Sequence, residues 1–131
     1  MGYYASTSEM SVVIPKENVA EALERINSSE LLGAYPHDDL CDALGQEFYF
    51  EAELSPGGDV FLIYYMGEKF YGDTGNVFWV IRDLIEPGGF INWVGEDQEM
   101  WQWRFDNGTM YEEAGTVTFT ATYDEYRPGA W

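Results

Sequence analysis

Hydrophobic positions along the chain follow two different periods, and each period predicts a different kind of element. Over residues 16–29, Val19, Ala22, Leu23 and Ile26 recur at intervals of three and four residues. That spacing places the four side chains on one face of a helix, with the neighbouring glutamates largely off it. The segment therefore predicts an amphipathic helix, which begins just after Pro15.

A period of two predicts strands in much of the remaining chain. Over residues 47–54, apolar side chains alternate with acidic ones, whereas the run 59–66 is apolar on both faces, as an interior strand would be. The turn residues 55–58 join these two runs into a hairpin. Further strands are predicted over residues 9–14, 90–94, 98–106, 109–113 and 116–123, with Asn107-Gly108 as a hairpin turn.

Two more helices complete the pattern. A short one is predicted to follow Pro36, with Leu40, Ala43 and Leu44 facing inward, and a longer one is predicted over residues 75–86. We therefore expect an α+β fold: a two-layer sandwich with a mostly antiparallel sheet and two main helices on one face. No internal repeat or linker interrupts the chain, which predicts a single domain over residues 1–131.

The net charge of the chain says more about its function than any sequence motif does. The chain has 24 Asp and Glu residues against 6 Lys and Arg residues, a formal net charge of -18, yet 18% of its residues are aromatic. So many aromatic residues exclude an acidic disordered tail. Nucleic acid and membrane surfaces are anionic and would repel this chain, so a basic or neutral protein partner is expected instead. A surface that imitates a polyanion, adaptation to high salt, and plain solubility all remain open explanations.

The acidic residues fall mainly on the outward faces of the predicted elements. Ordered rows of carboxylates on a rigid scaffold are what a decoy for nucleic acid requires, because phosphates are regularly spaced along a duplex. We expect the partner-binding residues to be Asp38, Asp39, Asp42, Glu47, Glu51 and Glu53, with Glu17, Glu21 and Glu24 as a second row.

Catalytic and metal chemistry find little support in the sequence. His37 and Cys41 are the only residues of their types, and together they cannot make a usual zinc set. The carboxylates of Asp39 and Asp42 should oppose formation of a Cys41 thiolate. We therefore predict no catalytic residues, no metal site and no cofactor, and hence a non-enzymatic binding protein.

Two alternatives remain beside this prediction. The first is a small ligand-binding or hydrolytic domain for a sugar or a cationic metabolite, using tryptophans and carboxylates. Its candidate residues are Trp93, Trp101, Trp103, Glu96, Glu99, Glu112 and Glu113, although the alternation of the tryptophans favours core packing. The second is an assembly role for the strand 116–123 and the tail 126–131, and the sequence leaves the oligomeric state open.

The single cysteine, the lack of a visible signal peptide and the lack of a long apolar stretch together favour a cytoplasmic setting. Three features also carry a resemblance: the start Met1-Gly2-Tyr3-Tyr4, the Val-Ile-Pro strand before an acidic helix, and Gly95-Glu96-Asp97 with the run 101–108. With these the chain resembles small proteins of unknown function from actinobacterial phages and actinobacteria. The resemblance implies a phage or bacterial setting, in which inhibitors of host DNA-binding enzymes are one known class, and it carries over no functional residue.

Overall fold

The computed structural model describes residues 3–71 and 73–115. The predicted strand 116–123 and the tail 126–131 lie outside the described residues. In chain order the elements are β1 (Tyr3–Ser11), β2 (Val13–Ile14), α1 (Lys16–Ser28), α2 (Leu40–Phe48), β3 (Phe50–Leu54), β4 (Val60–Tyr65), β5 (Lys69–Phe70), α3 (Asn76–Val80), a 3-10 turn (Arg82–Leu84), β6 (Gly89–Gly95), β7 (Met100–Asp106) and β8 (Thr109–Gly115).

Within the described residues all strand pairs are antiparallel. Five strands pair in the order β5-β1-β6-β7-β8, and three pair in the order β2-β4-β3. β1 and β2 are separated only by Val12, whose carbonyl accepts a hydrogen bond of 3.0 Å from the Leu62 N–H. On the β1 side of Val12, the Tyr65 N–H donates to Thr7 Oγ1 at 3.4 Å. β4 therefore pairs with β2 and also contacts β1, and the sheet curls. The predicted α+β fold is confirmed.

The helices and the inner face of the sheet share one hydrophobic core, at whose centre lies a cluster of aromatic rings. Trp93 is fully buried, and its ring centroid lies 5.0 Å from those of Phe70 and Trp103 and 5.1 Å from that of Tyr65. Trp103 is only 3% exposed, so core packing is confirmed for Trp93 and Trp103, while Trp101 is half-buried. These tryptophans do not form an exposed sugar-stacking surface.

Two element boundaries differ from the prediction. Glu47 belongs to α2, which continues to Phe48, and β3 begins only at Phe50, after Tyr49 adopts a left-handed conformation. The helix predicted over residues 75–86 is α3 followed by a separate 3-10 turn. β-branched side chains are frequent in that segment and lower helix propensity, so tertiary contacts decide its length.

Candidate binding groove

A groove of about 420 Å³ lies between α1, the start of α2 and the turn that joins β3 to β4. We call it the acidic groove. It is lined by Lys16, Val19, Ala20, Leu23, Asp38, Asp39, Leu40, Cys41, Leu54, Gly58 and Val60. Most of these side chains are apolar, and Leu54 is 64% exposed. An open hydrophobic surface with carboxylates beside it is therefore present on this face.

Acidic side chains from two separate elements lie near Cys41, which lines this groove. Asp39 and Asp42 belong to the start of α2 and Glu53 to β3, yet all three act on the Cys41 thiol. Burial is the main cause that raises the pKa of Cys41 above its ordinary value, and the charges of these three carboxylates raise it further. The effect of Glu53 places it near Cys41, twelve positions earlier in the sequence.

The glutamates of α1 divide into two groups. Glu17 and Glu24 are exposed, and they lie three and four positions from the groove-lining Ala20, on the same side of the helix. Glu21 instead lies 3.3 Å from Arg25 in an ion pair that faces another part of the molecule. The predicted second row is thus two exposed carboxylates near the groove and one that is paired away from it.

Two of the predicted carboxylates lie elsewhere. Glu47 is on the last turn of α2, where its Oε1 lies 3.0 Å from His37 Nε2 and its side chain is only 23% exposed. Glu51 is half-buried on β3, opposite Tyr64 of β4. Neither residue lines the acidic groove, and of the row predicted along residues 47–54 only Glu53 acts on the groove residue Cys41.

Hydrogen bonds at the start of α2 hold that wall of the groove in place. Asp39 is the N-cap residue, and its Oδ1 accepts from the N–H groups of Cys41 at 2.6 Å and Asp42 at 3.3 Å. These bonds satisfy donors that a helix start leaves unpaired. The Asp39 carboxylate is therefore held in place as a cap, whereas the side chains of Asp38 and Asp42 are exposed.

The turn between β3 and β4 is tied to the start of α1 in the same way. The Lys16 N–H donates to Asp59 Oδ1 at 2.8 Å, and the Asp59 N–H donates to Ser55 Oγ at 3.0 Å. The aliphatic part of the Lys16 side chain lies over Gly58, where a Cβ atom would come within 2.9 Å of it. Gly58 also has φ +98, so two constraints require glycine there.

Sequence patterning did not identify Leu54 as part of a site. Strict alternation over residues 47–54 predicts that Leu54 faces inward with Phe50. The pairing of β3 with β4 shifts register between Glu51 and Ala52, and Leu54 is exposed. An irregularity of this kind reorients the side chains that follow it, because the period of a strand is two.

The groove presents a thiol, carboxylates and an apolar floor. The raised pKa of Cys41 keeps its thiol protonated and weakly nucleophilic at neutral pH. Within residues 3–71 and 73–115, no three His, Cys, Asp or Glu side chains are grouped so that they could hold a metal ion. Carboxylates beside an apolar floor suit a ligand that is both basic and apolar.

Comparisons of the chain with protein-family models, with curated proteins and with solved structures give no significant match. The helices of the described part of the chain include none with the length and apolar composition that crossing a bilayer demands.

Proposed function

We propose that this protein is a non-enzymatic binding protein whose acidic groove receives a basic, amphipathic segment of a protein partner. The observation that carries the proposal is a groove with an apolar floor that Asp38 and Asp39 line, and in which the charges of Asp42 and Glu53 reach the lining residue Cys41. Glu17 and Glu24 extend the negative charge along the α1 side of the same groove.

The proposed interaction needs both the apolar floor and the carboxylates of the groove. Lysine and arginine side chains have apolar stems and charged ends, so they can cover Leu54 and Ala20 while their charges meet carboxylates. Exposed charge pairs by themselves contribute little to affinity, because water and salt screen them. The apolar floor supplies the burial that makes the contact stable, and the carboxylates select a basic partner.

For the partner we propose a basic surface that normally binds nucleic acid, on a host protein in the bacterial cytoplasm. The net charge of -18 supports attraction to such a surface over a long range. The resemblance to small proteins of actinobacterial phages supports the same setting. In this function the protein acts as an inhibitor that occupies the surface and excludes nucleic acid.

The test uses the immobilised full chain, a lysate of an actinobacterial host and two triple variants of equal charge. The groove variant carries Asp38→Asn, Asp42→Asn and Glu53→Gln, and it leaves the Asp39 cap intact. The control variant carries Glu86→Gln, Glu96→Gln and Asp97→Asn, three exposed positions that do not line the groove. Captured proteins are identified, purified and titrated against each variant.

We expect the groove variant to bind its partner about tenfold more weakly, because three partly exposed charge contacts at about 0.5 kcal/mol each amount to that factor. The control variant should bind as the wild type does. Duplex DNA should compete for the partner, and about 1 M salt should release it. Equal losses in both variants, or capture only of proteins that resist 1 M salt, would contradict the proposal.

A further inference from the structure

A second cavity, of about 180 Å³, lies at the other end of α2, between β4 and the segment before α3. We call it the tyrosine pocket, because Tyr49, Tyr65 and Tyr71 line it together with the carboxylates Glu47 and Asp73. The two cavities have no lining residue in common. Its volume is more than ten times the roughly 10–15 Å³ that one water molecule requires, so it has room for a small organic group.

The backbone around the tyrosine pocket is held by specific hydrogen bonds. The Tyr49 N–H donates to the Gly45 carbonyl at 3.1 Å, and the Tyr49 carbonyl accepts from the Met66 N–H at 2.6 Å. On the opposite wall, the Tyr71 N–H donates to Thr74 Oγ1 at 3.0 Å. The first two bonds hold the Tyr49 backbone between α2 and the end of β4, and the third closes a local turn at Tyr71, so the backbone of both walls is held by hydrogen bonds.

Tyr49 is an unusual residue for its position. It ends α2 with φ 62, the left-handed conformation in which glycine or asparagine is favoured and a tyrosine costs free energy. Its side chain is 55% exposed, so core packing does not offset this cost. A strained residue that has no packing reason points to a role for its side chain at the adjoining cavity.

The charge of the tyrosine pocket selects the kind of ligand. Two carboxylates line it, and its described lining includes no lysine or arginine. Glu47 is held by the contact of 3.0 Å with His37, whereas Asp73 is exposed. Anions are therefore disfavoured. The Tyr65 hydroxyl already donates to the Lys69 carbonyl at 2.7 Å, which leaves one hydrogen-bond donor fewer for a sugar.

We propose that the tyrosine pocket binds an organic cation of the alkylated ammonium class. Aromatic rings attract such cations through the electrostatics of the ring face, and nearby carboxylates add to that attraction. The same group occurs in free molecules such as choline and in methylated lysine side chains, and both have the chemistry that this site recognises.

The experiment is a titration of the ¹⁵N-labelled full chain, followed by NMR, with tetramethylammonium, choline, a peptide containing trimethyllysine, and glucose. We expect saturable binding of the cations in the millimolar range or tighter, with shifts concentrated at Tyr49, Tyr71 and Thr74. Glucose should give none. Tighter binding of the peptide identifies a protein side chain as the ligand, and tighter binding of choline identifies a free molecule.

Variants distinguish binding of the cation in the tyrosine pocket from its general attraction to an acidic protein. Tyr71→Ala should weaken tetramethylammonium binding about fivefold, whereas Tyr35→Ala, at a tyrosine 80% exposed and outside the cavity, should not change it. Tyr49→Gly should lose affinity without a lower unfolding midpoint, because glycine relieves the left-handed strain. Shifts spread over the whole acidic surface without saturation, equal affinity in the Tyr71 and Tyr35 variants, or binding of glucose would overturn the proposal.

Discussion

The backbone N–H of Lys16 donates a hydrogen bond of 2.8 Å to the carboxylate of Asp59, a residue 43 positions further along the chain. Pro15 precedes this helix start and offers no side-chain acceptor. Asp59 therefore does from the β3–β4 turn what an N-cap side chain does locally. Through this contact the start of α1, on one side of the acidic groove, is attached to the β3–β4 turn on another side.

Removing the Asp59 carboxylate should destabilise the fold and loosen the groove. We expect Asp59→Ala to lower the free energy of unfolding by about 1 kcal/mol, the usual effect of losing a helix cap. Asp59→Asn should retain most of the stability, because asparagine also accepts the bond. Urea denaturation followed by circular dichroism measures both, and equal losses in the two variants would show that the negative charge, rather than the acceptor, is what matters.

A second long-range contact makes stability depend on pH. Arg25 donates to Asp83 through Nη1 at 2.6 Å and through Nη2 at 3.1 Å. The hydrogen bond from Arg25 is the main cause that holds the pKa of Asp83 below its ordinary value. A carboxyl whose pKa is lower in the folded state adds stability above its unfolded pKa of about 3.9, and this stability disappears as the pH falls through the folded value.

Asp83→Asn should therefore reduce stability at pH 7 and have no effect in strong acid. We expect a loss of about 1 kcal/mol or less, because both partners are partly exposed. The difference between wild type and variant should shrink as the pH falls below about 3.9. Denaturation midpoints measured between pH 7 and pH 2 test this, and a difference that does not vary with pH would show that the contact is not electrostatic.

Cys41 reports on the charge of the acidic groove. Burial and the carboxylates of Asp39, Asp42 and Glu53 raise the pKa of its thiol, so alkylation by iodoacetamide near pH 8 should be slower than that of free cysteine. The double variant Asp42→Asn, Glu53→Gln should react faster than wild type, and the distant pair Glu96→Gln, Asp97→Asn should not. A bound partner should protect the thiol, and faster labelling in its presence would argue against occupancy of this groove.

The turn between β7 and β8 gives a test of backbone conformation alone. Gly108 has φ +71, and a Cβ atom there would meet only Asp83, at 3.9 Å. Gly57 is equally open, with Ser55 Oγ at 3.9 Å, but lacks a positive φ. We expect Gly108→Ala to destabilise by about 1 kcal/mol and Gly57→Ala to be neutral or stabilising. Thermal unfolding measures both, and similar losses would mean that added volume, not conformation, decides the effect.

Local signals in the sequence account for the parts of the fold that were predicted well. The helix expected over residues 16–29 is α1, Lys16–Ser28, because its apolar stripe is set by spacing within the segment itself. Asn107-Gly108 forms the expected turn, with φ 55 and +71, because few other residue pairs tolerate those angles. The burial of Trp103 and Phe105 likewise follows from their alternation along one strand.

Features set by distant contacts were not predictable in this way. Tyr49 ends α2 where alternation indicated a strand, because its backbone is bound to Gly45 on one side and Met66 on the other. Leu54 became exposed through an irregularity in strand pairing that leaves no mark in composition.

Composition and short-range periodicity are enough to predict the acidic charge, the α+β class and the element faces on which most carboxylates lie. Which carboxylates act together depends on tertiary packing. This packing brings Asp42 and Glu53 close enough to Cys41 to raise the pKa of its thiol, binds Asp83 to Arg25, and places Glu47 beside a different cavity. Charges interact through space, and the distances between them are set by how α1, α2 and the β3–β4 hairpin pack on one core.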